Sequence, residues 1–219
     1  MHPLIPKLED RWQQLLRSFG VSPTAAQSAF EALAQAYTSP HRSYHTLQHI
    51  GHVLQMIDCL QDYAPNLEIV QLAAWFHDIV YDTQVGDNEE RSRDYAVTVL
   101  RTLGLTDRVI ARIGHLILQT KPHLPDTGDR DGQVLLDADL AILGSNPEEY
   151  RDYAQAIRQE YGWVPEARYQ MARKQVLKSF LQRPQIYFTP LMYEQMEAIA
   201  RQNLEEEIRL LSPLGSGGS

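Results

Sequence analysis

Four short stretches gather the side chains that can bind metals or move protons. They are Tyr44-His45-Thr46-Leu47-Gln48-His49, the pair His77-Asp78 inside the run Ala73 to Asp82, Asp137-Ala138-Asp139-Leu140, and Thr120-Lys121-Pro122-His123. An imidazole beside a carboxylate at the end of an apolar run is costly to bury unless something compensates it, and a divalent metal does so well. One histidine of the first stretch, the His77-Asp78 pair and one aspartate of the third would supply four donors for one ion. His45 and His49 stand four apart, the spacing of neighbours on one helix face, so one can be a ligand while the other does acid–base work. Asp137 and Asp139 stand two apart and cannot share a helix face, so only one of them can face the ion. Two imidazoles and two carboxylates suit Mn, Fe(II), Ni, Co or Mg better than a closed structural zinc site, and they leave room for water. Such an ion lowers the pKa of its bound water from about 15.7 toward about 7. Hydrolysis by an activated water is therefore the chemistry to expect.

Helices must carry these residues. Apolar residues recur at helical spacing from Leu8 to Phe19, with a stop at Gly20, and Ser22-Pro23 opens a second helix to about Tyr37. A loop over 38–43 precedes a helix from Tyr44 or Thr46 to Tyr63, and Leu67 to Asp78 is apolar enough to be buried. Asp87 and Glu90 have capping-box spacing before a helix that ends at Gly104. Thr106 caps another helix to Thr120. Residues 121–133 read as a polar loop, and Leu135 to Leu143 as a short helix stopped by Gly144. Helices over Pro147–Tyr161, Pro165–Gln182 and Pro190–Leu211 complete an all-α bundle with no strand alternation or internal repeat. One domain over 1–212 is expected, followed by a flexible tail over 213–219.

Composition narrows the function classes. The chain has 219 residues, 43% hydrophobic and 22% charged, which are ordinary globular values. A net charge of −8 argues against a protein that coats nucleic acid. No segment approaches the apolar length of a membrane span, and the start lacks the apolar region of a signal peptide, so a cytoplasmic location is expected. The single Cys59 excludes an intramolecular disulfide and is expected to fill core volume. Of the remaining histidines, His52 is expected at the surface or core edge, His41 in a solvated loop and His115 in the core.

The motifs resemble a known family. Tyr44-His45-Thr46-Leu47-Gln48-His49 is similar to the tyrosine-histidine-asparagine-x-x-histidine motif of cyclic nucleotide phosphodiesterases, with Thr46 in place of the asparagine. In that motif the first histidine protonates the leaving oxygen and the second binds metal. Along most of its length the chain resembles bacterial metal-dependent phosphohydrolases of the HD superfamily. The match runs through Trp75-Phe76-His77-Asp78-x-Val80-Tyr81-Asp82, Asp87 to Ser92, Thr120-x2-His123, Leu136 to Gly144 and Ile157-Arg158-x-Glu160-Tyr161. The resemblance implies an HD-domain helical bundle with metal ligands His49, His77, Asp78 and Asp139, the last chosen over Asp137 because it follows Ala138 and precedes an apolar residue. It implies His45 as general acid and Glu89 as a water-orienting carboxylate. His123, Asn88, Arg158 and Tyr161 are the expected substrate contacts, Arg158 because a guanidinium suits phosphate recognition. The expected substrate is a small phosphomonoester or nucleotide, attacked at phosphorus. Two alternatives stand beside this. His77-Asp78-Ile79-Val80-Tyr81-Asp82-Thr83 resembles the motif of guanosine tetraphosphate hydrolases, which carry glutamate where this chain has Tyr81; and the chain could be a non-catalytic, metal-loaded sensing module.

Overall fold

The computed structural model describes residues 4–212, so the expected tail over 213–219 lies outside the described residues. Every regular element among them is a helix. Contacts group the chain into two compact units that divide between Asp139 and Leu140. No helix among the described residues is long and apolar enough to cross a membrane.

The first unit holds α1 (Leu4–Ser18), α2 (Pro23–Tyr37), α3 (Leu47–Cys59), a 3-10 turn (Gln61–Tyr63), α4 (Leu67–Phe76), α5 (Asn88–Thr102), α6 (Asp107–Thr120) and α7 (Arg130–Asp139). Its centre is α4, whose Val70, Leu72, Ala73, Ala74, Trp75 and Phe76 are all fully buried. The second half of this helix is apolar on every side and must be surrounded, and α1, α3, α5, α6 and α7 all pack against the helix. Trp75 meets Trp12 edge-on at 5.3 Å and Phe30 at 6.1 Å, while Phe76 meets Trp12 at 5.9 Å. Truncating an aromatic buried in this way costs about 3–5 kcal/mol.

Local chemistry sets the ends of the helices. Ser22 accepts the Ala25 amide at 3.3 Å ahead of Pro23, and Gly20 and Gly104 close helices with φ of 76° and 84°, a region that suits glycine. Several boundaries differ from the sequence expectation. Thr46 is the N-cap of α3, accepting the Gln48 amide at 3.3 Å, so His45 lies in the turn before the helix and not on its face. Threonine and asparagine are both N-cap residues, which gives Thr46 a local role where the phosphodiesterase motif has asparagine. The Asp87/Glu90 capping box is not made: Asp87 makes no side-chain cap bond, and Glu90 is drawn to Lys121 at 2.6 Å. Helix α7 begins at Arg130, inside the expected loop, because Asp129 accepts the Gly132 amide at 3.0 Å and so caps it. Cys59 is exposed at the end of α3, not in the core.

The second unit holds a 3-10 turn (Leu140–Gly144), α8 (Pro147–Glu160), α9 (Glu166–Leu181) and α10 (Pro190–Leu210). Asn146-Pro147 and Thr189-Pro190 start two of these helices, with Asn146 accepting the Glu148 and Glu149 amides and Thr189 that of Met192. Helix α10 packs on α9 and on the 3-10 turn, whose last residue is Gly144. A Cβ at residue 144 would stand 2.6 Å from Met196 Cβ, so close approach of α10 demands glycine there. Asn203 donates to the Leu143 and Ser145 carbonyls, both at 2.9 Å. The buried Arg173 and Glu207 pair at 2.8 Å, and Tyr150 donates to the same carboxylate at 2.5 Å.

Candidate metal centre

The end of α4 is built to present two donors. His77, the residue just past the helix, turns its Nδ1 back to the Ala74 carbonyl at 2.8 Å. A carbonyl only accepts, so Nδ1 carries the hydrogen and Nε2 is the outward donor atom. The next carbonyls are satisfied in turn: Tyr37 donates its hydroxyl to Trp75 O at 2.9 Å, and the Ile79 amide reaches Phe76 O at 3.2 Å. Ser92 on α5 exchanges bonds with both backbone groups of Val80, at 3.1 and 3.2 Å. These bonds fix the turn that follows α4 and, with it, His77 and Asp78.

His49 enters from α3 and Asp139 from the last position of α7. His49 Nε2 lies 3.2 Å from His77 Nε2, and Asp139 Oδ1 lies 3.3 Å from each of them. Asp78 Oδ2 is 3.0 Å from His77 Nε2 and 3.7 Å from His49 Nε2. His49, His77 and Asp139 form a group whose donor atoms all lie within 4.8 Å of one another, and Asp78 stands beside it. Donors bound to one ion at about 2.1 Å, at octahedral or tetrahedral angles, sit about 3.0–3.4 Å apart. The 3.2, 3.3 and 3.3 Å triangle matches that spacing, so the residues fit a divalent ion. The two imidazoles are 2% and 1% exposed, and the Asp139 carboxylate 10%.

Electrostatics support this fit. Burial opposes charge on His77, yet Asp78 and Asp139 outweigh it and raise its pKa well above the ordinary histidine value. Burial dominates at His49 and lowers its pKa, with Asp139 opposing. Burial would favour neutral acids at Asp78 and Asp139; the adjacent imidazoles, His77 foremost, overcome it and hold both carboxyls below the usual range. Two largely buried carboxylates beside two imidazoles are thus a donor set whose negative charge a divalent cation would offset, as a proton on His77 does without one.

Two more histidines flank the group. His45 Nε2 is 3.8 Å from Asp78 Oδ2, and its ring stacks on Tyr81 with centroids 4.0 Å apart. His123 Nε2 is 3.5 Å from Asp139 Oδ2, and its backbone takes a φ of 48°, sparsely populated for a residue with a side chain.

The surroundings of the remaining expected site residues are as follows. Asn88 spends its amide on the backbone of Asp82, accepting at 3.0 Å and donating at 2.9 Å, so it closes the 82–88 loop. Glu89 is half-buried in the first turn of α5 and makes no hydrogen bond or ion pair to a described residue. Arg158 and Tyr161 belong to the second unit. There Arg158 donates to Glu166 at 2.9 Å and to the Tyr161 and Val164 carbonyls, and it borders a cavity of about 400 Å³ together with Tyr150 and Tyr169. Asp137 is fully buried and is not part of the donor group. His115 is exposed and pairs with Asp126 at 2.7 Å, against the expectation of a core histidine. Sequence reasoning passed over Arg42, Tyr37 and Ser92, which hold the turns around the group. Their only signal was polar or basic character in loops and helices close to the metal-binding stretches. No protein-family model, curated protein or solved structure matches the chain.

Proposed function

We propose that this protein is a metal-dependent phosphohydrolase of the HD type, acting on a small phosphomonoester or nucleotide. The observation that carries the reading is the buried 3.2–3.3 Å triangle of His49, His77 and Asp139, with Asp78 3.0 Å from His77. The motif resemblance supplies the reaction class. A divalent ion held there supplies Lewis acidity toward water and the phosphoryl oxygens. The protein's own groups do the rest. Nδ1 of His77, tied to Ala74 O, keeps Nε2 aimed at the donor group. His45, beside the donors and stacked on Tyr81, delivers a proton from its imidazole to the leaving oxygen. His123, beside Asp139, contacts the phosphoryl group, and the half-buried carboxylate of Glu89 is the candidate water-orienting base. Tyr81 weighs against guanosine tetraphosphate hydrolysis, because its ring lies on His45 where those enzymes carry a carboxylate.

Elemental analysis of gently purified protein, followed by a panel of phosphomonoesters and nucleotides with added Mn(II), tests the reading. Bound metal together with metal-dependent phosphate release is the expected result. Bound metal with no turnover across the panel would favour the sensing module, and absence of metal binding would contradict the site itself.

A further inference from the structure

Arg42 lies in the loop between α2 and α3 and touches none of the donor carboxylates. Its guanidinium instead collects three backbone carbonyls: Nη1 donates to Asp78 O at 2.7 Å and to His45 O at 3.0 Å, and Nη2 to Ile79 O at 2.8 Å. The rings of Tyr37 and Tyr81 flank it, at 4.9 and 5.6 Å from the guanidinium carbon. The carbonyls of Asp78 and Ile79 lie just beyond α4, where no further helical turn supplies amides for them. The carbonyl of His45 sits in the turn ahead of the Thr46 cap. One rigid, planar cation thus spans two turns that are more than thirty residues apart in sequence. One of these turns carries His77 and Asp78; the other carries His45 and leads into the helix that bears His49.

We propose that Arg42 is a positioning residue of the metal centre: its three-carbonyl clamp sets the spacing between the 44–46 and 77–79 turns, and with it the distances among the donors. The inference rests on the metal-site reading above. A guanidinium is suited to the task because its donors diverge at fixed angles, whereas a lysine places one ammonium and cannot reproduce the fork. The neighbouring tyrosines limit its motion, and Tyr37 is itself fixed to Trp75 O. Groups that orient metal ligands without touching the metal typically account for 10–100-fold in metal affinity. A residue that merely tethers a loop would change thermal stability and leave the affinity and coordination geometry alone.

The test titrates Co(II) into the metal-free wild type, Arg42→Lys and Arg42→Ala proteins, reading affinity by calorimetry and geometry by the visible cobalt spectrum. Circular dichroism melting of each metal-free protein is followed alongside. The expected result is a Kd raised 10–100-fold in Arg42→Ala and at least about tenfold in Arg42→Lys, with an altered cobalt spectrum and a melting temperature still well above that of the titration. If Arg42→Ala does not fold, Arg42→Lys decides alone. Wild-type affinity and spectrum in Arg42→Lys, whatever its melting temperature, would overturn the proposal. A wild-type protein that binds no Co(II) would instead remove the metal-site reading, a result distinct from tight binding that is indifferent to residue 42.

Discussion

Asp139 rides on α7, so the contacts that start this helix bear on the donor group, and Asp129 is the residue on which they converge. Its carboxylate takes both Nη atoms of Arg112, the Gln119 amide at 2.9 Å and the Gly132 backbone amide at 3.0 Å. In Asp129→Ala the cap to Gly132 is lost, at about 1 kcal/mol. The charged bonds to Arg112 and Gln119 contribute about 2 kcal/mol more, near the lower end for such bonds because Arg112 keeps Asp131 at 3.1 Å. A total of about 3 kcal/mol lowers the melting temperature by about 6–12 °C in a chain of this length. The sign of the pH dependence follows from the carboxyl. Burial favours its neutral form, but Arg112, the Gly132 amide and Gln119 outweigh burial and hold its pKa at about 2. A folded value depressed below the unfolded value of about 3.9 contributes stability that is present in full above the latter and is lost as pH falls toward about 2. Differential scanning calorimetry of metal-free wild type and Asp129→Ala should therefore show the same gap at pH 7 and pH 5, and a narrowing gap below about pH 4. A gap under about 2 °C at pH 7, or one already closed at pH 5, would refute the reasoning.

Asp78→Ala should lose bound metal and activity yet keep its helical circular dichroism, because the first unit rests on the apolar faces around α4; unfolding of the metal-free protein at room temperature would show the ion to be structural. His45→Ala should keep metal and lose about 10²–10⁴-fold in turnover, least for nitrophenyl esters, whose leaving groups need little protonation; equal losses across leaving groups, or loss of metal, would count against a general acid. Glu207→Ala strips the buried Arg173 of its bidentate partner and should destabilise the second unit by about 3–5 kcal/mol, measured by chemical denaturation, whereas a change below 1 kcal/mol would mean that the pair is dispensable.

The all-helical architecture was legible because its signals are local. Ser22-Pro23, Asn146-Pro147 and Thr189-Pro190 each combine a capping side chain with a proline at the first helical position, and each starts a helix. The apolar run before His77 announced a buried helix, and α4 is one. The donor group was legible in part from its residue types, an imidazole and a carboxylate side by side after an apolar run at His77-Asp78, while the choice of His49 over His45 and of Asp139 over Asp137 rested on the motif resemblance. What was not legible turns on which of several competing partners a side chain takes, some of them distant in sequence. His45 reads as a helix-face residue until Thr46 takes the cap. Asp87 and Glu90 read as a capping box until Lys121, from the end of α6, claims Glu90. Arg42 looks like a solvated loop cation, and only the return of the 77–79 turn gives it three acceptors. The bonds of the Asn88 amide to the Asp82 backbone likewise carry no sequence signal.

Diffraction from crystals grown with Mn(II) or Co(II), with anomalous maps at the metal edge, shows whether these four side chains hold an ion. One strong peak is expected about 2.0–2.3 Å from His49 Nε2, His77 Nε2, Asp139 Oδ1 and Asp78 Oδ2. A peak only at the exposed His115 and Asp126, or none within bonding distance of His77 and Asp139, would contradict it.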